Sequence, residues 1–262
     1  MREYEIPFHE KLEFKPKKTR YCVCIPTINE GDRIKKQLSE MERKNITRKF
    51  DVLLLDGKSS DGSLEPSYLK ELGIRGLFTL KEKGRLSAQL RLGYAYALNE
   101  GYQGVITVDG NNKDNIEAIN DFSKELDDGY DFVQGSRYLK GGRALNTPFG
   151  RTLAIKFIHI PIISFLAGFK YTDTTNGFRA YSIKFLTDFR IQPFRKIFDS
   201  YELLAYLSVK SPRCGFKTKE IPVIRTYPEF GPIVTKISFI KGHLSILKIL
   251  LFLALHKYDP PI

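Results

Sequence analysis

The chain has 262 residues, of which 42% are hydrophobic and 13% aromatic, enough for a sizeable core and incompatible with a disordered protein. Its formal net charge is +12 at pH 7, so we expect an anionic partner: nucleotide phosphates, a lipid phosphate, a membrane surface or nucleic acid. No zinc-finger, homeodomain or RNP-type pattern occurs, and we therefore predict no nucleic-acid partner.

The first twenty residues predict a basic, loosely ordered arm, because they contain no apolar segment that would pack as an element. The same composition argues against a signal peptide. Cys22 and Cys24 fall within a predicted strand, and with Cys214 they make an odd number, which indicates reduced thiols rather than disulfides. We therefore expect the active domain to lie in the cytosol.

Strand-like and helical patterns alternate over the first half of the chain. Apolar runs rich in β-branched residues predict strands at residues 21–25, 50–55, 74–80, 104–108 and 131–134. Helical periodicity predicts helices at residues 32–43, 86–98 and 115–126. This alternation indicates an α/β fold with a mostly parallel central sheet flanked by helices. The absence of a G-x-G-x-x-G motif after the first strand argues against a dinucleotide site.

Acidic side chains stand where predicted strands end. Asp109 follows a β-branched run and precedes a Gly-Asn-Asn turn, and Asp56 ends the second predicted strand. Open α/β sheets bind ligands at the carboxyl ends of their strands, and carboxylate oxygens there suit Mg²⁺ or Mn²⁺ bridging a nucleotide diphosphate. The alternative is that Asp109 or Asp114 only caps the following helix.

Two apolar segments follow residue 150. Residues 152–168 are apolar on most faces and are interrupted by Pro161. Residues 237–257 predict a largely apolar helix, too short in its charge-free run to span a membrane but suited to lie in the headgroup plane. The alternative is a helix packed on the domain core or on a second copy of the chain in a homo-oligomer. The narrow polar stripe of this helix consists of Ser238, Lys241, Ser245 and Lys248.

Seven motifs, weak singly but strong in their order and spacing, resemble glycosyltransferase family 2. The branch they resemble is that of the dolichyl-phosphate mannosyltransferases and polyprenyl-phosphate glycosyltransferases. They are I25-P-T-I-N-E30, D56-G-K-S-S-D-G62, R85-L-S-A-Q-L-R-L-G-Y94, V108-D-G-N111, G135-S-R-Y-L-K-G-G142, D173-T-T-N-G-F-R-A180 and T235-K236. The resemblance covers about residues 20–240.

The resemblance implies a GT-A fold at residues 21–236, preceded by the arm at 1–20 and followed by the apolar C-terminal helix at 237–262. It implies inverting transfer of a sugar from a nucleotide-diphosphate donor to a polyprenyl-phosphate or related lipid-linked acceptor. It also implies a protein peripheral at the inner face of the cell membrane. The alternatives are transfer to a soluble glycan or from an unusual nucleotide donor, and a non-catalytic protein that binds nucleotide or the membrane surface.

The resemblance also implies which residues bind the donor. Arg225 and Lys236 fall near the family's basic flexible loop over the donor diphosphate. Asp109 matches the first carboxylate of the family's D-x-D signature, which holds a divalent Mg²⁺ or Mn²⁺. The residues that match the family's nucleotide pocket are Pro26, Asn29, Glu30 and Asp56.

For the acceptor, Arg137 and Arg151 match arginines expected to hold a lipid phosphate, a task that suits the planar guanidinium. The resemblance makes Asp109 and Arg137 catalytic residues. A phosphate acceptor needs little help from a base. For a hydroxyl acceptor, Glu202 is the candidate general base, with a helix-surface carboxylate as the alternative interpretation.

The sequence departs from the family's pattern at the metal site. Asn111 replaces the second D-x-D carboxylate, and Lys113 stands two residues further on. Asn111 can still ligate a metal through its carbonyl oxygen. We predict that Lys113 contacts the donor diphosphate and takes over part of the metal's role, so that the metal is only weakly required. The alternative is that Lys113 points to solvent or pairs with Asp114.

Overall fold

The structure, a computed structural model, describes residues 4–229 and 239–261. The strands are β1 His9–Glu13, β2 Tyr21–Thr27, β3 Asp51–Asp56, β4 Gly76–Leu80, β5 Gly104–Thr107, β6 Phe132–Ser136, β7 Arg143–Leu145, β8 Arg179–Ser182, β9 Thr218–Pro222 and β10 Ile224–Thr226. The helices are α1 Asp32–Arg43, α2 Ile46–Lys49, α3 Pro66–Glu71, α4 Leu86–Asn99, α5 Ala118–Asp127, α6 Phe149–Ala154, α7 Ile160–Ala167, α8 Ile183–Thr187, α9 Glu202–Arg213 and α10 Phe239–Ala254. A π-helical turn, Ile155–His159, joins α6 to α7.

An eight-stranded sheet runs through the molecule in the order β1-β4-β3-β2-β5-β8-β6-β9. Its centre, β4-β3-β2-β5, is parallel, whereas β1 and β8 are antiparallel to their neighbours. A separate two-stranded parallel sheet pairs β10 with β7. The predicted α/β fold with a mostly parallel central sheet flanked by helices is confirmed.

Two hydrophobic cores lie on opposite faces of the sheet. On β2, Cys22 and Cys24 face the core formed with α4, α7, α9 and α10, whereas Val23 and Ile25 face the core formed with α1, α3 and α5. Both faces of the central strands are therefore covered, which explains why their sequences are continuous apolar runs.

The prediction of a loosely ordered N-terminal arm is wrong for the part that forms β1. His9–Glu13 pairs with the whole of β4 and forms one edge of the sheet. The strand is held by this non-local backbone pairing and not by an apolar pattern of its own, because four of its five residues are exposed. The sequence periodicity therefore gave no sign of it.

The helical segment at Phe149–Ala167 is continuous, although Pro161 was expected to interrupt it. Pro161 lies in the first turn of α7, directly after the wider π-helical turn, where the ring is accommodated. An 18-residue stretch of this segment has a mean hydropathy of 1.4, and only 11% of that stretch is buried. Among the described residues, this is the one helix long and apolar enough to cross a membrane.

Helix α10 is apolar on two sides. Ile249, Leu250 and Leu253 are buried, and the helix packs against α7 and α9. The alternative of a helix packed on the core therefore holds for this side. The other side presents exposed leucines at helical spacing, which are Leu244, Leu247, Leu251 and Leu255.

Gln89 in α4 holds together the carboxyl ends of β2 and β3. Its buried Nε2 donates to the carbonyl oxygens of Thr27 and Leu55, both at 2.8 Å. A buried carbonyl without a donor is costly, so this amide fixes the separation of the two strand ends. Gln89 lies in the motif between Arg85 and Tyr94 that contributed to the family resemblance.

Gln89→Leu is expected to lower the free energy of unfolding by about 1–3 kcal/mol, because the buried carbonyls of Thr27 and Leu55 lose a side-chain donor, although Thr27 keeps the N–H of Gly57 at 2.8 Å. Urea unfolding followed by circular dichroism measures the change. Gln103→Leu is the matched control, since its exposed amide bonds only Arg20 at the surface, and it should cost less than about 0.5 kcal/mol. Equal stabilities for the two variants would contradict the structural role of Gln89.

Candidate active site

The loops that follow β2 and β3 are linked by side-chain hydrogen bonds. Asp56 accepts from the backbone N–H of Ser59 at 2.9 Å and from its hydroxyl at 2.6 Å. Asn29 accepts from the backbone N–H of Ser60 at 2.8 Å, and its own N–H donates to the Ser59 hydroxyl. The polar residues that the sequence placed in the nucleotide pocket thus lie on two loops held against each other.

The turn after β5 lies beside the end of β2. The N–H of Gly110 donates to the carbonyl of Pro26 at 3.3 Å, and β2 continues through Pro26 to Thr27. Glu30 lies two residues before the start of α1 and forms an ion pair with Arg33 at 2.8 Å. The structure therefore brings Pro26, Asn29, Glu30 and Asp56 to the same edge of the sheet as Asp109.

Arg225 binds both carboxylates that follow β5. Its guanidinium donates to Asp109 Oδ2 at 2.9 Å and also pairs with buried Asp114. Burial raises the pKa of Asp114 to about 6, in spite of the opposing effect of Arg225. Neither carboxylate caps the next helix, because α5 begins only at Ala118. The capping interpretation of Asp109 and Asp114 is therefore wrong.

Arg225, which the resemblance placed near the family's basic loop, lies on a strand. It is buried on β10, and an additional bridge joins its backbone to that of Asp114. Lys236, the other residue expected in that loop, lies outside the described residues.

Asp109 and Asn111 supply the oxygen atoms of the predicted metal site. Asn111 Oδ1 is buried without a hydrogen-bond partner, while its Nδ2 lies 3.4 Å from Asp109 Oδ2. Within residues 4–229 and 239–261 no cluster of three or more His, Cys, Asp or Glu side chains could enclose a metal ion. A cation that keeps several waters and binds substrate phosphates needs only one or two such oxygens. The residues therefore fit a metal bound jointly with a diphosphate.

Gly177 allows the loop before β8 to approach Asp109. A Cβ atom at this position would stand 2.5 Å from Asp109 Oδ1. A larger residue does not fit at this position of the motif D173-T-T-N-G-F-R-A180, because the Asp109 carboxylate occupies the space. Sequence reasoning did not single out this residue, although the motif containing it was recognised.

Lys113 neither points to solvent nor pairs with Asp114. Its Nζ lies over the ring of buried Tyr227, 4.6 Å from the centroid, while Asp114 pairs with Arg225. Burial, followed by the charges of Arg225 and Arg151, lowers the pKa of Lys113. Both alternatives to donor contact are therefore wrong, and the predicted contact with the donor diphosphate stays a prediction.

The two arginines expected to bind an acceptor phosphate differ in their surroundings. Arg151, in α6, donates to the Tyr227 hydroxyl at 2.8 Å. Arg137 is buried and binds Asp173 through Nε at 2.6 Å and Nη2 at 2.9 Å, with Thr175 as a further acceptor. Burial alone would lower the pKa of Arg137. The charge of Asp173 and its hydrogen bond outweigh this effect and raise that pKa. Arg137 is thus held in an internal ion pair.

Glu202 lies in the first turn of α9. Its Oε2 accepts from the backbone N–H of Ser200 at 2.6 Å, and burial raises its pKa. The side chain lines a cavity of about 430 Å³ with Lys248, Phe252 and Tyr258. Glu202, the predicted general base, therefore lies beside α10, and no hydrogen bond or ion pair among the described residues joins it to Asp109.

Tyr201, which directly precedes α9, is close enough to Asp109 to be affected by its charge, and the sequence did not identify it. Burial raises the pKa of the Tyr201 phenol, and the next largest contribution is the negative charge of Asp109. Opposing contributions come from Arg85 and Arg151. No sequence motif marks Tyr201, so its position near Asp109 follows only from the three-dimensional structure.

Curated relatives resemble the chain over most of its length. The polyprenol monophosphomannose synthase of Mycolicibacterium smegmatis is 26% identical over 84% of this chain and 81% of its own length. The undecaprenyl-phosphate mannosyltransferase of Micrococcus luteus is 23% identical over 81% and 86% of the two chains. The dolichyl-phosphate hexose transferase of Haloferax volcanii is 27% identical over 77% and 81%.

A solved structure shows the same fold. The glucosyl-3-phosphoglycerate synthase of Mycobacterium tuberculosis, crystallised with Mn²⁺, UDP and phosphoglyceric acid, superposes with a TM-score of 0.66 at 12% identity. The similarity covers 93% of this chain and 80% of that one. The GT-A fold expected from the sequence motifs is confirmed.

The family model described as glycosyl transferase family 2 matches residues 22–190, well over half of the chain. This range includes the ends of β2, β3 and β5 together with Asp109, Arg137 and Arg151. The chain therefore belongs to glycosyltransferase family 2 and is a glycosyltransferase.

Proposed function

We propose that the protein transfers a sugar from a nucleoside-diphosphate donor to a polyprenyl phosphate or a related lipid-linked acceptor, with inversion at the anomeric carbon. The observation that carries the proposal is the group of three cations, Lys113, Arg151 and Arg225, around one tyrosine beside Asp109. The names of the curated relatives, which include polyprenol- and undecaprenyl-phosphate enzymes, support the lipid acceptor.

The donor is proposed to bind in the crevice at the carboxyl ends of β2, β3 and β5, between Asp56 and Asp109. Arg225 holds the Asp109 carboxylate in a fixed orientation and adds positive charge beside the diphosphate. A divalent Mg²⁺ or Mn²⁺, held by Asp109 and Asn111, would supply Lewis-acid stabilisation of the leaving diphosphate. Preorganised charge of this kind is usually the largest contribution to catalysis in such sites.

A phosphate acceptor agrees with the position of Glu202. A phosphate oxygen is already anionic at neutral pH and attacks the anomeric carbon without a strong base, whereas a sugar hydroxyl needs a carboxylate to remove its proton. Glu202 accepts a hydrogen bond from the N–H of Ser200 and lines a cavity beside α10, and no ion pair or hydrogen bond among the described residues joins it to Asp109. This arrangement favours the phosphate acceptor over the alternative of a soluble glycan.

The acceptor is proposed to reach the protein at the inner face of a membrane, on the surface formed by Phe149–Ala167 and α10. Large apolar side chains are exposed on both helices, among them Phe157 and Phe165, the latter 86% exposed. α7 and α10 contact each other, and exposed Lys156 and Lys248 supply positive charge for anionic headgroups. The three free cysteines agree with a reducing compartment.

A panel of nucleotide sugars tests the proposed activity. The protein is incubated with each labelled nucleotide sugar and farnesyl phosphate, and the product is extracted into organic solvent. A labelled product in the organic phase supports the proposal. A product confined to the aqueous phase favours a soluble acceptor, and absence of turnover with every donor favours a non-catalytic binding protein.

Asp109→Ala is expected to lower turnover at least about a hundredfold, because an oriented charged group at the diphosphate is lost. Gly177→Ala should cause a similar loss, since the added methyl group must displace the Asp109 carboxylate. Initial rates of transfer measure both effects. Gly150→Ala is the matched control, because nothing lies within 4 Å of its Cβ position. Near-normal turnover of Asp109→Ala would remove this residue from the site.

Removal of divalent metal by EDTA is expected to lower turnover by on the order of tenfold rather than to abolish it, since fixed cations supply part of the charge. The reason is that Arg225 and Lys113 already lie beside Asp109. Turnover titrated with Mn²⁺ after chelation measures the dependence. Complete loss of activity in EDTA would show that Arg225 and Lys113 do not supply part of the metal's positive charge.

The double variant Phe157→Ser/Phe165→Ser is expected to lose most of its binding to vesicles of phosphatidylglycerol, because two exposed rings no longer enter the headgroup region. Flotation at low and high salt measures the apolar and the electrostatic contributions. Phe8→Ser, an equally exposed ring next to β1, is the control and should float like the parent protein. Unchanged flotation of the double variant would place the membrane surface elsewhere.

A further inference from the structure

A cavity of about 430 Å³ lies between α10 and the start of α9. Its lining contains two lysines and one carboxylate, which are Lys248, Lys257 and Glu202, and an apolar wall that includes Ile249 and Phe252. An apolar wall with a few convergent polar groups is typical of a site for a small molecule. The proposed sugar transfer makes no use of this cavity.

Part of the narrow polar stripe of α10 faces the cavity. Ser245 and Lys248 both line it, and Phe252 continues the same flank one turn further on. At about 3.6 residues per turn, this flank borders the exposed leucine face of the helix. Ser238 and the side chain of Lys241, the other members of the stripe, lie outside what the structure describes.

The end of α10 brings the second lysine to the same cavity. The N–H of Lys257 donates to the carbonyl of Phe252 at 2.9 Å, and the N–H of His256 donates to the carbonyl of Leu253 at 3.1 Å. With a φ of 56° at His256, these bonds form a Schellman motif, which turns the chain back towards the last helical turn. The ring of Phe252 also lies 5.1 Å from Lys248 Nζ, so both lysines border the same wall.

Glu202 supplies a negative charge on the α9 side of the cavity. Its carboxylate accepts from the N–H of Ser200, and within the described part of the chain no ion pair joins it to a lysine or arginine. Burial raises the pKa of Glu202, and a cation beside the carboxylate would offset that effect. Lys248 and Lys257 likewise form no ion pair with a described carboxylate. The cavity therefore holds charges of both signs that a ligand can neutralise.

The far side of the cavity is fixed to the domain. Tyr258, which lines it, is buried, and its ring centroid lies 5.8 Å from that of Phe198 and 6.0 Å from that of Phe252. Asp259 pairs with Lys210 of α9 at 3.3 Å. Little of the lining has to be ordered when a ligand arrives, which favours binding.

We propose that this cavity binds the phosphoethanolamine headgroup of an aminophospholipid. The phosphate diester accepts hydrogen bonds from the ammonium groups of Lys248 and Lys257, and the ethanolamine ammonium donates to Glu202. The negative and the positive group of the headgroup thus each meet the opposite charge. The proposal rests on the membrane surface of the proposed function and names the lipid that this surface selects.

The position of the cavity agrees with a lipid that comes from the membrane. When the leucine face of α10 enters the acyl region, the neighbouring flank lies at the depth of the headgroups. Ile197, which lines the cavity and is 46% exposed, offers apolar surface to the glycerol and the first methylene groups. A choline headgroup has no N–H to donate to Glu202, and a glycerol headgroup has no positive charge.

Calorimetry on the full chain with short-chain lipids tests this site without vesicles. The probes are the dihexanoyl forms of phosphatidylethanolamine, phosphatidylcholine and phosphatidylglycerol, each below its micellar concentration, and glycerophosphoethanolamine as the headgroup without chains. The variants are Lys248→Gln, Lys257→Gln and Glu202→Gln. Lys170→Gln is the matched control, because Lys170 is an exposed lysine beyond the end of α7 that does not line the cavity.

The parent protein should bind the ethanolamine lipid about tenfold more tightly than the choline lipid, the difference expected for one charge-assisted hydrogen bond. Each lysine variant should weaken binding of the ethanolamine lipid by about fivefold, since each removes one charged donor from the phosphate. Glu202→Gln should abolish the preference for ethanolamine over choline. Lys170→Gln should bind like the parent protein. If the melting temperature shows that Glu202→Gln does not fold, the lipid preference of the parent and the two lysine variants decide.

Equal affinity of the parent protein for the ethanolamine and choline lipids would overturn the proposal. Tighter binding of the glycerol lipid, or unchanged affinity in both lysine variants, would overturn it as well. Glycerophosphoethanolamine bound as tightly as the lipid would replace the lipid by a soluble ligand and so contradict the assignment.

Flotation separates this proposal from the proposed function. A parent protein that floats with phosphatidylglycerol vesicles but shows no preference for the ethanolamine lipid loses the headgroup site and keeps the membrane surface. A parent protein that prefers the ethanolamine lipid but floats with no vesicle keeps the headgroup site, and the membrane surface of the proposed function fails.

Discussion

The buried guanidinium of Arg225 determines how the site is assembled. It binds Asp109, which lies just after β5, and the buried carboxylate of Asp114. Removing Arg225 would leave the buried carboxylate of Asp114 without its cation, so this ion pair keeps the short sheet of β10 and β7 against the end of β5. That placement brings Tyr227 beside Lys113 and Arg151. The group of cations around Tyr227 therefore depends on an ion-pair network that contains Asp109.

Elements with a local sequence pattern were predicted correctly, whereas elements and contacts that depend on residues distant in sequence were missed. The apolar runs ending at Asp56 and Asp109 identified two strand ends at the same edge of the sheet, because buried parallel strands have a local signature. β1 was missed because its stability comes from pairing with β4, more than sixty residues away in sequence. For the same reason the partners of Arg137 and Arg225 were not predictable, since an arginine's sequence neighbourhood does not show which carboxylate it meets after folding.

The replacement of a carboxylate by Asn111 and the presence of Lys113 change the charge of the site in the same direction. The first removes a negative charge from the metal position, and the second adds an ammonium. Arg225 already occupies one oxygen of Asp109, so a metal ion meets less negative charge than two free carboxylates would offer. Fixed cations require no binding equilibrium of their own, and they are oriented before the donor arrives. The proposed site thus combines fewer carboxylate oxygens for a metal with more built-in positive charge.

Arg151, the proposed phosphate-binding residue, and the apolar surface belong to the same helical segment. Arg151 lies near the start of Phe149–Ala167, and the exposed rings of Phe157 and Phe165 follow it along the helix. With a rise of about 1.5 Å per residue, Phe165 lies roughly 20 Å from Arg151 along the axis, a distance comparable with an extended isoprenoid chain of a few units. A lipid phosphate held at Arg151 therefore has an apolar surface next to it for its chain. A small soluble phosphate would use the cations but gain nothing from the exposed rings, and the length of this surface is the structural feature that favours the lipid.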